Sequence, residues 1–262
     1  MAGALRKATA DGLDAPAGDI QVVARTVQLL RRLNEDGTID LATAARELGV
    51  GKSTAHRYLV SMEAHGMLQR RDRTSYEFGP LLAELGTTAL TRLGVIDLAR
   101  PVMEELSTQV RETVVLGIWN GRAPVVARVH EDASRTAHVS IRVGSVLRPG
   151  TAQAAIFHVF RDQCFHRHLP GAQVAHLTDA EAAEIRRTGV AVRASENEGV
   201  RAVATPVWGV GGRVVATLAV VGIAQFIPEG HDSPVARALL AGAATIQREM
   251  TDPLAPDVES GG

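Results

Sequence analysis

The sequence predicts an α+β chain in two parts: a small helical module closed by a β-hairpin, then a larger domain on one central antiparallel sheet. Three observations carry that prediction. Between Asp40 and Gly66 (DLATAARELGVGKSTAHRYLVSMEAHG), apolar residues recur at helical spacing on both sides of a glycine-bearing turn. Directly after it, MLQRRDRTSYEF reads as two short strands around a charged turn. From Thr113 onward, β-branched runs are broken by Asn-Gly and Gly-Gly turns and interleaved with helical segments. The 262 residues are enough for two domains of ordinary size, and 45% hydrophobic content is enough for two cores.

Residues 1–18 are small, polar and punctuated by Pro and Gly, and are expected to be a disordered tail. Val22–Leu33 predicts a helix with Val23, Ala24, Val27 and Leu30 on its buried stripe. Glu35–Gly37 ends it, and Thr38-Ile39 can form a brief strand. Asp40 is placed to cap a second helix whose apolar set is Leu41, Ala44, Ala45 and Leu48. Gly49 closes that helix and Gly51 permits the turn. In the third helix Ala55, Tyr58, Leu59 and Met62 make the buried face, which leaves Lys52, Thr54, His56, Arg57 and Ser61 outside. Strands Met67–Arg70 and Ser75–Phe78 follow, joined by Arg-Asp-Arg-Thr. Three helices and a hairpin make a winged helix-turn-helix, predicted over residues 19–79.

A linker helix is predicted over residues 80–94, begun by Pro80 and weakened by Gly86 and Gly94. The second domain is predicted over 95–251, with a polar tail at 252–262. Its first helix holds Pro101, which should end or kink it near its start unless the helix begins there. Strands are expected at TVVLGIWN, APVVARVHE and AHVSIRVG, then a helix over roughly Thr151–Arg161. A further helix is expected after DAEAAEIRRTG begins, with Asp179 as cap and Gly189 as stop. Strands VRAVATPVWGV and RVVATLAVVGI meet at Gly211-Gly212, and SPVARALLAGAATIQREM forms the closing helix. Helices should cover the sheet on at least one face.

Net charge is -1 and names no partner. Its distribution is more telling. From Arg46 to Arg73 there are six basic residues (Arg46, Lys52, Arg57, Arg70, Arg71, Arg73) against three acidic ones (Glu47, Glu63, Asp72). Lys52, one of only two lysines in the chain, opens the third helix. A helix-turn-helix puts its second helix in the major groove of DNA, so Lys52, Ser53, Thr54, His56 and Arg57 are the expected readers. Arg70, Arg71 and Arg73 on the hairpin are expected on phosphates or in the minor groove.

Other chemistries fare worse. GVGKST superficially resembles a phosphate-binding loop, but the spacing needs glycine where Arg46 stands, and a helix precedes it where a strand is required. In the helix-turn-helix reading Ser53 or Thr54 can cap and Lys52 meets a phosphate. Cys164, His166 and His168 alternate in CFHRH, with His158 upstream, but no second ligand cluster accompanies them. Glu131-Asp132, Glu196 and Glu198 lie at strand ends or in loops, where solvation is the default. No nucleophile–base pair and no cofactor loop is present, so neither enzyme nor cofactor is expected. Cys164 is the only cysteine, so no intrachain disulfide can form. With no membrane-length apolar run and no signal-peptide core, a cytoplasmic protein is expected. One more segment stands out: RVGSVLRPGTAQAAIF feeds a glycine-bearing turn into a helix whose free N–H groups face whatever lies before it. Beside it the late strands offer Val200, Ala202, Ala219 and Val221, an apolar setting suited to a small organic acid.

The order of these pieces resembles the IclR (isocitrate lyase regulator) family of bacterial transcription regulators, over about Ile20 to Met250. The likeness is carried by ARELGVGKSTAHRYLVSMEAHGMLQR, EFGPLLAELG, RVGSVLRPGTAQAA, EGVRAVATPV and RVVATLAVVG. It implies a GAF-like effector-binding domain behind the DNA-binding module. It also implies a homodimer, often a dimer of dimers, on a palindromic operator, acting as repressor or activator in answer to a small metabolite. Carried over by position, the effector site comprises Val139, Leu147, Gln153, Ala154, Val200, Ala202, Ala219 and Val221. Ala219 and Val221 stand where relatives that bind short polar acids carry serines. Arg193 stands where many relatives have an acidic residue, and Arg148 replaces a usual proline. Two arginines over an apolar floor would suit an aromatic or branched acid, with Arg193 added to the site. The alternative is a metabolic enzyme or ligand-binding protein whose N-terminal helices mediate protein association only.

Overall fold

The computed structural model describes residues 20–91, 93–132, 134, 138–164, 166, 172, 175–195 and 199–251. The chain divides into two compact units between Thr88 and Ala89.

The first unit begins with α1 (Gln21–Asp36), β1 (Ile39–Asp40), α2 (Leu41–Leu48) and α3 (Lys52–Ala64). The hairpin β2 (Leu68–Arg70) and β3 (Ser75–Phe78) follows, then α4 (Pro80–Thr91). Strand β3 lies between β1 and β2, antiparallel to both. Asp40 caps α2, its carboxylate accepting from Thr43 N–H at 2.6 Å. That bond holds the Asp40 pKa below the ordinary carboxylate value. Gly49 ends α2 at φ 63°, in the left-handed region where a Cβ is penalised. Leu29, Leu33, Ala44, Leu48, Ala55, Leu59, Met62, Leu68 and Tyr76 form one core under α1, α2, α3 and the hairpin.

The α1 stripe departs from expectation. Val23 and Val27 are 57% and 40% exposed and Ala24 is exposed as well, whereas Leu30 packs half-buried on the core and Leu29 and Leu33 are the fully buried positions. Apolar residues lie on more than one side of α1, and the helix turns Leu29, Leu30 and Leu33 onto the core shared with α2 and β1. Gly51 also differs: its φ of -65° is open to any residue, so the turn depends on Gly49.

The second unit is a five-stranded antiparallel sheet in the order β5-β4-β8-β7-β6, covered on both faces. Its strands are β4 (Thr113–Trp119), β5 (Pro124–His130), β6 (Ala191–Ser195), β7 (Val200–Gly209) and β8 (Arg213–Ile223). Alternation along β8 sorts the faces. Ala216, Leu218 and Val220 pack under α5 (Val95–Val110) and α8 (Pro234–Thr251). Ala219 faces α6 (Ala152–Val159) and α7 (Asp179–Thr188) with Ala204, Ala155, Ile156 and Ile185.

Four expectations change here. Pro101 lies inside α5 without ending it; it is exposed, so water can satisfy the carbonyl its ring leaves free. The expected strand AHVSIRVG forms no strand over its described residues 138–144. That segment touches β5 only through scattered bonds, such as Gly144 N–H to the Val126 carbonyl at 2.8 Å, while Val139 and Ile141 pack into the sheet's apolar floor. Thr178, not Asp179, caps α7, in a reciprocal capping box with Glu181. Strand β6 had no counterpart in the sequence reading. The end residues of the chain, taken above as tails, lie outside the described residues.

Candidate functional site

In the first unit α3 turns Lys52, Ser53, His56, Arg57, Val60 and Ser61 to solvent on successive turns, with Thr54 half-buried. Its N-cap is Gly51, and no side chain caps the first turn. Ser53 and Thr54 therefore do not cap; the helix already begins at Lys52, which places them inside its first turn. Uncapped N–H groups and the helix dipole favour a phosphate at this end.

The hairpin is held by Asp72. Its carboxylate accepts from Thr74 N–H (2.7 Å), Thr74 Oγ1 (2.9 Å), Ser75 N–H (2.8 Å) and Ser75 Oγ (2.6 Å). These bonds push the Asp72 pKa far down, the Ser75 hydroxyl most of all. The three wing arginines are not equivalent. Arg70 stacks over Tyr76 at 4.7 Å, pairs with Glu63 at 3.4 Å and donates to the Arg73 carbonyl at 3.4 Å. Arg71 and Arg73 are exposed and have no side-chain partner among the described residues. Arg70 thus shapes the wing that Arg71 and Arg73 present. Between α3 and the wing lies a hollow of about 410 Å³, lined by Lys52, His56, Arg70 and Arg73 above Leu59 and Tyr76.

In the second unit a cavity of about 160 Å³ opens at the N-terminus of α6. Leu147, Gln153, Arg193, Val200, Ala202, Ala219 and Val221 line it, together with Ile141, Gly150, Thr151, Ala152, Ala194 and Ser195. Val139 and Ala154 do not. Val139 is half-buried, packs against the Val115, Val126 and Val221 cluster and accepts from Thr113 Oγ1 through its carbonyl. The Ala154 N–H is taken by the Thr151 cap at 3.3 Å. Arg148 is exposed and does not line the cavity, so Arg193 is the single charged residue among the described lining.

Gln153 and Arg193 are two of the four polar side chains in the described lining, beside Thr151 and Ser195. The buried Gln153 amide donates to Thr217 Oγ1 (3.0 Å), Thr217 O (3.3 Å) and Val115 O (3.4 Å), which ties α6 to β4 and β8. It passes over Gly117, where a Cβ would lie 2.7 Å from that amide nitrogen. Arg193 Nη1 donates to Glu181 Oε1 at 2.5 Å. The Arg193 Nη2 is buried and has no hydrogen-bond partner among the described residues. A buried donor left unmade costs on the order of 1–3 kcal/mol, a cost that a bound acceptor would relieve.

Two family models cover both units. The IclR helix-turn-helix domain matches residues 22–72, and the bacterial transcriptional regulator IclR C-terminal domain matches residues 87–248. The chain belongs to the IclR family. It is 31% identical to the HTH-type transcriptional regulator Rv1719 of Mycobacterium tuberculosis, over 91% of this chain and 95% of the relative. It is 30% identical to the HTH-type transcriptional regulator XynR of Escherichia coli, over 76% of this chain and 84% of the relative. Among solved structures it shares the fold of an IclR homolog from Microbacterium hydrocarbonoxydans crystallised with 4-hydroxybenzoate. The TM-score is 0.69 at 21% identity, over 87% of this chain and 98% of that one.

The remaining candidates have structural roles in this IclR-family chain. Cys164 is buried against the Phe157 and Phe160 carbonyls, and burial pushes its thiol up to about 11. Burial, then Arg161 and Arg186, lowers the His158 pKa. No group of three metal-ligating side chains occurs among the described residues, and His168 lies outside them. Glu131 accepts from Ser140 at 2.8 Å and pairs with His138 at 3.2 Å, while Asp132 accepts from Ser134; Glu196 and Glu198 lie outside the described residues. No described helix is long and apolar enough to cross a membrane. Sequence reasoning missed Val60, an apolar residue on the polar face of α3, and the β6 pair Ala194 and Ser195.

Proposed function

We propose that this IclR-family regulator is a ligand-responsive cytoplasmic protein without enzymatic activity, a homodimer, and in its fullest form a dimer of dimers, on a palindromic operator. Lys52, Ser53, Thr54, His56 and Arg57 read bases or place the helix, and Arg71 and Arg73 meet the backbone. The effector is a small, partly apolar carboxylate held in the cavity at the start of α6.

One observation carries the effector half: Arg193 keeps a buried Nη2 with no partner among the described residues, beside a cavity whose floor is Val200, Ala202, Ala219 and Val221. A carboxylate can accept from that nitrogen and from the first N–H groups of α6. The volume of about 160 Å³ is close to the roughly 150 Å³ that accepts a benzene ring. That size and lining support an aromatic or branched acid over a glyoxylate-sized one. The 4-hydroxybenzoate bound to the Microbacterium relative agrees with this chemistry.

The test has two steps. A thermal-shift screen of carboxylic acids on the full chain should return monocarboxylates of six to ten heavy atoms, roughly the ring-sized class. Calorimetry with the best hit should then lose affinity in Arg193→Ala. Unchanged affinity in that variant would refute the charge pairing. Failure to retain any sequence from a random DNA pool would instead favour the association-only role for the N-terminal helices.

A further inference from the structure

We infer that Glu181 is a specificity-determining residue that limits the pocket's ligand to a single negative charge. The inference rests on the proposed effector site and deepens it. Arg193 is the only charged side chain among the described residues that line the cavity. Its charge is already shared: Nη1 donates to Glu181 Oε1 at 2.5 Å, while the buried Nη2 has no hydrogen-bond partner among the described residues.

Glu181 is tethered on both oxygens. Its other oxygen accepts from Thr178 N–H at 2.7 Å and Thr178 Oγ1 at 2.8 Å, the reciprocal half of the α7 capping box. A ligand carboxylate bonded to Nη2 at about 2.9 Å would therefore lie within roughly 6 Å of a fixed carboxylate. That separation is shorter than the Debye length of roughly 8 Å in physiological salt. One ligand carboxylate gains the bond from Nη2, which offsets its repulsion by Glu181. A second would face Glu181 with no further cation in the described lining. Glu181 also aims the guanidinium, because the bond to Nη1 fixes the plane that presents Nη2.

The experiment uses the full chain and three probes: benzoate, neutral benzamide and dianionic isophthalate. Calorimetry on the wild type and on Glu181→Gln reads the affinity ratio of isophthalate to benzoate. Glutamine keeps the length and a hydrogen-bond partner for Thr178, and circular dichroism confirms the fold of the variant. Because each probe keeps its size in both proteins, the change in ratio isolates charge. The wild type should bind benzoate, and benzamide and isophthalate at least about tenfold more weakly. Glu181→Gln should narrow the isophthalate gap about tenfold or more while benzamide stays weak. An unchanged ratio in the variant overturns the inference and leaves the acid pocket standing. Wild-type benzamide binding as tight as benzoate overturns it as well, since the site then reads shape and not charge. If the wild type binds neither benzoate nor any other monocarboxylate, the effector reading itself falls, and the inference with it.

Discussion

Gly117→Ala is the most informative single perturbation of the ligand-binding unit. The residue lies in β4, directly under the Gln153 amide. A methyl group there would stand 2.7 Å from Gln153 Nε2 and 2.9 Å from Thr217 Oγ1. Both distances are below real Cβ contacts, so the Gln153 side chain must leave the sheet or α6 must lift. Leaving takes away three hydrogen bonds of a side chain that is only 4% exposed. The unmade polar group costs about 1–3 kcal/mol, and the strain of overpacking about 1–3 kcal/mol more. The expected loss is thus roughly 2–6 kcal/mol. Both tryptophans of the chain, Trp119 and Trp208, belong to this unit and pack around the C-terminal end of α6. Their fluorescence in a urea titration therefore reports this unit selectively. Gln153→Ala in the same background should recover part of the loss, because it removes the atoms that clash. A Gly117→Ala midpoint within experimental error of wild type would refute the reasoning.

Three further outcomes are expected. Arg57→Ala should cost about 1–3 kcal/mol on the selected operator but little on random DNA, by fluorescence anisotropy. Equal losses on both would assign Arg57 to phosphate. Arg73→Ala should flatten the salt dependence of DNA binding by about one unit in log K against log salt. Arg70→Ala should instead lower the stability of the first unit, because its guanidinium joins Tyr76, Glu63 and the Arg73 carbonyl. The Glu181 pKa falls from 4.5 to about 2, through its bond from Thr178 N–H first and Arg193 second. A depressed folded pKa adds stability that is full above the unfolded value and is lost as pH falls from 4.5 toward about 2. Glu181→Gln should therefore flatten the melting temperature against pH in that window; an unchanged acid limb would contradict it.

The helix-turn-helix was legible because its signals are local. Gly49, Asp40 and the period of Ala55, Leu59 and Met62 each act within a few residues of themselves. The errors arose where tertiary packing chose between local options. Val23 and Val27 are as apolar as Leu29 and Leu33, and only the packing of α1 on the core decides which pair is buried. AHVSIRVG alternates as a strand should, yet it uses that alternation to place Val139 and Ile141 on the floor without a continuous ladder. Strand β6 is short and carries Arg193 among alanines, so no pattern announces it. Most of the cavity followed from the family resemblance. The orientation of Arg193 did not, because it depends on an ion pair twelve residues back to Glu181, whose own position depends on the Thr178 cap. Val139 and Ala154, placed in the site by the resemblance, lie outside the residues that line the cavity.

The central claim is that acid binding in the second unit changes DNA binding by the first. The direct measurement is an operator isotherm, with DNA selected from a random pool, taken with and without the strongest acid from the thermal-shift screen. The account predicts a shifted operator affinity, and the same factor in the acid's affinity when operator is present, since coupling is reciprocal. An acid that saturates the Arg193 cavity yet leaves the operator isotherm unmoved would contradict it.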